Sequence, residues 1–295
     1  MPTIPDTYIN ALLADASYAI GIHTDDTKGL LAGVLKTRMT ENLANYIGDN
    51  FKVKDVFNAP DGGFNAVVWE QMHHDTGTRK FYLSIQGTQE TQDFVKDSDL
   101  AGRGIPYNEL KDMINWWLSS TSTGPNVPQI AVQKTSDGDG QSTFTFVAAP
   151  SVSGGGKLKD VNTITSVNGH SLAGYLSEAF ARLFGAKWPI DAVNTFNGAG
   201  FSRLAAANIE NEFNNIAQLI GPGLGLGTFP SHKVVESFSQ KNPPKKVGSS
   251  ETRAPIKAGD SFNIQASCRP KARALGNPLW TNPACGKTPP VQSRT

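Results

Sequence analysis

The segment that most constrains this chain is Gly169-His170-Ser171-Leu172-Ala173-Gly174, which follows a strand-like run, Asn162 to Asn168, and opens a helix-like run, Tyr175 to Leu183. A serine at a strand-to-helix junction must turn the chain sharply, in strained backbone geometry that leaves room only for small residues two before and two after it. Gly169 and Ala173 meet that requirement. The flanks support the same reading. Thr165 and Val167 alternate with Ile164, Ser166 and Asn168, while Leu172, Leu176, Ala179, Phe180 and Leu183 recur at helical spacing. Such a turn holds a hydroxyl clear of the sheet and aims the next residue's N–H at an oxyanion formed on attack. Ser171 is therefore the candidate nucleophile. The bland alternative is a glycine-rich turn that packs a helix on a sheet.

This hexapeptide resembles the Gly-His-Ser-Leu-Gly-Gly elbow of the class 3 lipase branch of the α/β-hydrolases, with Ala173 in place of one glycine. Phe81-Tyr82-Leu83-Ser84-Ile85-Gln86-Gly87-Thr88 is similar to that family's strand ending in Arg-Gly-Thr or Arg-Gly-Ser, with Gln86 where arginine is usual. The Asp-rich stretch Asp93 to Leu100 and the run Ala192 to Phe201 also resemble family segments, so the likeness spans about residues 8 to 265. It implies an α/β fold with a mostly parallel central sheet, helices on both faces, and serine chemistry on carboxylic esters. It also implies an oxyanion site made by the backbone N–H groups of Thr88 and Leu172.

The remaining pattern is read from the residues. Thr7 to Ile22 predicts a helix with Ile9, Leu12, Leu13, Ala16 and Ala19 on one face, and Leu30 to Ile47 predicts another. Strands are predicted over Phe51 to Phe57, Ala66 to Met72 and Phe81 to Gln86, separated by turn residues at 61–63 and 75–77. A helix over Asn108 to Ser119 carries Trp116 and Trp117, read as core packing with a lipid-holding role as the alternative. Gln129 to Lys134 and Ser142 to Ala149 suggest a hairpin inside the interval 120–158, which is either a lid or a structural ornament. Ile190 to Phe196, Leu204 to Ile220 and Lys233 to Phe238 predict a strand, a helix and a further strand. Alternating strands and helices of this kind argue for a largely parallel sheet. Residues 1–265 are expected to form one domain, and 266–295 an irregular tail.

An elbow serine needs a histidine as base and a carboxylate to orient it, in chain order acid then histidine. Glu236 is the candidate acid, late in its strand, with a surface carboxylate as the alternative; Asp191 begins its strand and would sit at the wrong end of the sheet. The histidine is harder to place. His232 is the only one after Ser171, yet it precedes the strand, and four extended residues put it roughly 13 Å from Glu236. His170 is similar to the family's residue beside the nucleophile and is not the base. His23, His73 and His74 lie upstream. His73, His74 and Asp75 are an exposed turn, with metal binding disfavoured because adjacent strand residues point to opposite faces. After Asp260 no acidic residue occurs, and the run 267–295 lacks hydrophobic period, where the family has a further strand and a histidine-bearing loop. Such a tail implies a truncated, frame-altered or diverged C-terminus and a triad that is incomplete or completed unusually by His232.

Composition bounds the partners. A net charge of +1 gives no electrostatic reason to expect nucleic acid, and no apolar run approaches a membrane span. The N-terminus lacks a basic segment followed by an apolar h-region, so the expected location is cytoplasmic, or secreted without a cleaved signal peptide. Cys268 and Cys285 identify neither a metal site nor a compartment. No metal or organic cofactor is called for. The expected substrate is a small-molecule or lipid ester with transient contact at a lipid interface. The competing expectation is a catalytically impaired module of hydrolase type that binds lipid or protein.

Overall fold

A computed structural model describes residues 6–60, 63–72, 77–87, 105–136, 142–198 and 206–221, with backbone alone for 206–207 and 234–237. These residues belong to one compact unit, Met1–Lys241. The expected domain end near 265, the tail 266–295, His73, His74, Asp75, Cys268 and Cys285 lie outside the described residues.

In chain order the elements are α1 (Asp6–Ala16), α2 (Lys28–Leu35), α3 (Glu41–Asn50), β1 (Phe51–Asn58), β2 (Asn65–Gln71), β3 (Phe81–Gln86), α4 (Tyr107–Thr121), β4 (Val127–Ser136), β5 (Ser142–Val152), β6 (Ile164–His170), α5 (Leu172–Phe184), β7 (Ile190–Phe196), α6 (Ala206–Ile220) and β8 (Val234–Ser237). Six strands form one sheet in the order β1-β2-β3-β6-β7-β8, and β4 and β5 form a separate pair.

The sheet corrects the expectation of a mostly parallel, α/β-hydrolase-like architecture. β1 pairs with β2, and β2 with β3, in antiparallel fashion; only β3–β6, β6–β7 and β7–β8 are parallel. With the antiparallel β4–β5 pair added, the described strands form a mixed sheet and a two-stranded antiparallel ribbon. The physical reason lies in the connections. A parallel crossover needs a dozen or more residues, usually a helix, and neither residues 59–64 nor residues 72–80 supply that length. The strand–helix alternation that argues for parallel pairing begins only after β3.

The predicted helix over Leu30 to Ile47 is two helices. Thr37 Oγ1 donates to the Val34 carbonyl at 2.7 Å, and Thr40 is extended at φ −63°, ψ 152° before α3 starts. Hydroxyls bonded back to the preceding turn offer the chain an alternative to helix, while the apolar period runs across the break undisturbed. α1 likewise stops at Ala16, short of the predicted Ile22, where Ser17 Oγ caps the Ala14 carbonyl at 2.8 Å.

Alternation along the strands feeds two cores. Val67, Trp69 and Tyr82 pack with Leu13, Leu31, Leu35 and Ile47 of α1–α3, whereas Val68, Leu83, Ile85, Val167 and Val193 pack with α4, α5 and α6. β1 serves both. A register shift between Val53 and Asp55 leaves Val53 opposite Trp69 but Asp55 opposite Val68. Phe51 and Val53 therefore join the first core, and Phe57 packs against the second. Asp55 is 1% exposed on the second side, where Trp116 Nε1 (3.0 Å), Ser120 Oγ (3.3 Å) and Lys157 Nζ (3.3 Å) all donate to its carboxylate. Those donors answer the cost of burying a charge.

Trp116 and Trp117 are core residues. The Trp117 ring meets Phe180 edge-on at 4.8 Å and Trp188 at 5.6 Å, and Trp116 stacks on Phe57 at 5.7 Å. The β4–β5 ribbon is pinned beside them. Asn115 donates to the Ile130 carbonyl and accepts from the Ile130 N–H, both at 2.9 Å, and Asn215 donates to the Phe146 carbonyl at 3.0 Å. Side-chain amides thus pair the ribbon's backbone as a neighbouring strand would.

Truncating Trp117 to alanine removes a fully buried ring from the aromatic cluster and should cost about 3–5 kcal/mol in urea denaturation. Ile20→Ala, at a side chain 86% exposed, should shift the same curve by less than about 0.5 kcal/mol. Equal effects would remove the assignment of Trp117 to the core.

Candidate active site

Ser171 stands between the end of β6 and the first residue of α5, at φ 59° and ψ −126°. This left-handed, sparsely populated conformation costs a non-glycine residue on the order of 1–3 kcal/mol unless its surroundings over-determine it. Here the surroundings do. The Ser171 N–H donates to the Phe196 carbonyl at 3.3 Å, extending the β6–β7 ladder by one residue, and the Ser171 carbonyl accepts from Gly174 N–H at 2.9 Å as α5 begins.

Small residues make the bend possible. A Cβ at Gly169 would overlap the Ala173 carbonyl and lie 2.5 Å from Ser177 Oγ. Gly198, after β7, approaches the helix so closely that a Cβ there would lie 2.9 Å from Gly174 Cα. Any side chain at these points would push α5 off the sheet and open the turn.

Three segments distant in sequence meet at this bend. β3 ends at Gln86-Gly87, and a side chain at Gly87 would overlap the His170 carbonyl while meeting Ser171 Cβ at 3.3 Å and Tyr18 Oη at 3.1 Å. The chain leaving α1 comes back to the same place. Gln86 Nε2 donates to the Ser17 carbonyl, and Gly87 N–H donates to Tyr18 Oη at 2.6 Å. Tyr18 is in turn fixed by its ring neighbours. His170 stands edge-on at 6.3 Å, and the Arg38 guanidinium lies over the face, 4.9 Å from the centroid. Arg38 comes from the break between α2 and α3 and is held by Asp15 Oδ1 at 2.7 and 2.9 Å.

The predicted site residues fare differently. Ser171 and Leu172 are adjacent, and Leu172 starts α5, at the positive end of the helix. Glu236 lies in β8, paired with Thr195, which pairs with Gly169. Two strand spacings of about 4.8 Å thus place its backbone about 10 Å from Gly169. Thr88 and His232 lie outside the described residues. Asp191 is exposed at the start of β7 and His23 is exposed before α2. Among the described residues no imidazole hydrogen-bonds Ser171 Oγ, and no three His, Cys, Asp or Glu side chains are grouped to hold a metal ion. No described helix is long and apolar enough to cross a membrane.

Tyr18, Gly87, Arg38 and Gln86 have no place in the sequence-based site. Gln86 has a defined task in holding the α1 exit through the Ser17 carbonyl. Tyr18 falls inside a stretch that reads as helix, and its partner Gly87 is 69 residues away, so no local pattern marks it. Comparison with protein-family models, curated proteins and solved structures finds no match to this chain.

Replacement of Ser171 by glycine relieves the left-handed strain, whereas alanine keeps it, and both remove the hydroxyl. Ser171→Gly should therefore be more stable than Ser171→Ala by about 1 kcal/mol in urea denaturation, and the reverse order would mean the bend is unstrained.

His170 gives a pH signature. Burial holds its imidazole below the ordinary histidine pKa, Asp15 pulls it back up, and Arg38 presses it down. The folded protein thus binds this proton less readily than the unfolded chain, which takes it up near about pH 6.5. Stability from this group is complete above that pH and is lost as pH falls through the lower folded value. The thermal midpoint of the wild type should drop more steeply than that of His170→Gln between about pH 6.5 and pH 5. Parallel curves would contradict it.

Proposed function

We propose that this chain is a serine hydrolase of carboxylic esters, with acyl-lipid esters as its substrate class and Ser171 as its nucleophile. The observation that carries the proposal is the Ser171 backbone at φ 59°, ψ −126°, a strained bend whose hydroxyl has no hydrogen-bond partner among the described residues and which has a helix N-terminus directly behind it. Strain of this kind persists in proteins where function requires it. The likeness of Gly169–Gly174 to the class 3 lipase elbow supports the same chemistry, independently of the sheet's mixed topology.

In the proposed reaction Ser171 Oγ attacks the ester carbonyl carbon while a base removes its proton. The negative charge gathers on the carbonyl oxygen, the C–O bond breaks, the alcohol leaves with the proton, and water then hydrolyses the acyl-enzyme. The Leu172 N–H at the start of α5 is a donor suited to that oxyanion, with the Thr88 N–H as its partner from the segment after β3. Glu236 is the candidate acid, and His232, four extended residues or roughly 13 Å before it, is the candidate base only of an unusual triad in which the two are not directly paired. The location of Glu236 on the strand next to β7, level with Gly169, supports an acid on that side of the bend. Ile20, 86% exposed two residues beyond Tyr18, and Leu30, 62% exposed, offer apolar contact to an acyl-lipid surface.

A second reading is a catalytically impaired module that binds lipid or protein, favoured by the absence of an imidazole on Ser171 Oγ among the described residues. A fluorophosphonate probe separates the two. Labelling that disappears in Ser171→Ala, with hydrolysis of a chromogenic acyl ester lost in parallel by about 1,000-fold or more, supports the enzyme. A folded wild type that neither labels nor hydrolyses supports the module.

A further inference from the structure

We propose that the Tyr18 hydroxyl donates a hydrogen bond to the oxyanion formed at Ser171, so that the exit of α1 supplies a side-chain arm of the oxyanion hole. This rests on the serine-hydrolase reading of Ser171 and adds to it a catalytic residue from the N-terminal part of the chain.

The geometry begins at Gly87. A Cβ built on this residue would overlap the His170 carbonyl oxygen and lie 3.1 Å from Tyr18 Oη and 3.3 Å from Ser171 Cβ. Phenol and nucleophile therefore both approach Gly87 from one side, a closeness that only a residue without a Cβ permits. Gly87 N–H donates to Tyr18 Oη at 2.6 Å, so the phenol already accepts one hydrogen bond. Its own hydrogen has no acceptor among the described residues. A hydroxyl that accepts such a bond becomes a better donor, since hydrogen-bonded chains polarise one another.

The ring is also preorganised, which an oxyanion donor requires because it must be in place before charge develops. Arg38 covers one face, His170 abuts the ring edge-on, and Gln86 holds the preceding residue through the Ser17 carbonyl. Burial raises the phenol's pKa against the smaller opposing effects of Gly87 and Arg38, so Tyr18 stays protonated near neutral pH and acts as a donor, not a base. The Arg38 cation beside the ring adds favourable potential for negative charge at the same place. No proton is transferred from Tyr18; it lends its O–H bond to the oxyanion and keeps it.

The test uses the full chain, p-nitrophenyl butyrate as substrate, and an alkyl trifluoromethyl ketone, which adds Ser171 Oγ to form a stable oxyanion. Tyr18→Phe should lower kcat on the order of 100-fold with little change in KM, and weaken trifluoromethyl ketone binding by a similar factor. A merely structural tyrosine would not move those two quantities together while sparing KM. Unchanged kcat in Tyr18→Phe, or a loss of kcat with undiminished ketone affinity, overturns the proposal. Should Tyr18→Phe fail to fold, the wild type gives the second readout. Ketone binding should red-shift tyrosine absorbance in the wild type and not in Ser171→Ala, and the absence of a shift overturns the proposal. A wild type that is inert to both ester and fluorophosphonate removes the Ser171 reading itself, and Tyr18's role with it. An active wild type indifferent to Tyr18→Phe removes only the latter.

Discussion

The β6–β7 register is the constraint on which the rest of the site depends. Parallel pairing carries through His170 opposite Phe196 and is extended by the Ser171 N–H, which donates to the Phe196 carbonyl. That bond anchors the strained residue on one side, and the first turn of α5 anchors it on the other. Because α5 is buried on nearly every face, from Leu172 and Tyr175 through Phe180 and Phe184, its axis cannot shift to relax the bend. Packing of the helix and strain of the serine are thus one interaction seen from two ends, and close interior packing transmits the load.

The sheet divides its labour along the same line. Its antiparallel side, β1 to β3, is joined by short connections and is covered on one face by α1–α3, while the parallel side carries the bend. β3 belongs to both, pairing antiparallel with β2 and parallel with β6. Its last residues consequently bring the N-terminal layer to Ser171. Gln86 and Gly87 hold Ser17 and Tyr18, and Arg38 reaches Tyr18 because the chain breaks between α2 and α3. A continuous helix through Thr37 would carry Arg38 elsewhere.

Local features were legible in the sequence, and features made by distant partners were not. The bend at Ser171 is readable because its needs, glycine at 169 and a small residue at 173, fall within a few positions. The aromatic helix is readable because its period is that of a buried face. Strand direction is a property of connections, and the helix alternation after β6 invites a parallel reading of β1 and β2 that their short links forbid. The α2–α3 break is hidden because Leu31, Leu35, Met39, Leu43 and Tyr46 recur three or four residues apart across it. Tyr18 escaped because a helix-like stretch gives no sign of the glycine it meets across the fold. Glu236 is legible as a strand residue, and its backbone register with Thr195 is what the folded chain adds.

The single extra residue in β1 has an evolutionary corollary. Between Val53 and Asp55 the strand changes which side its odd-numbered residues face. Losing Lys54 by a codon deletion would make the strand regular and leave Val53 and Asp55 on the sides they face now, because their partners Trp69 and Val68 are already adjacent. Losing Val56 instead would turn Phe57 away from the layer it packs on. Descendants of this chain are therefore expected to change the length of this strand at the bulge and to conserve it elsewhere.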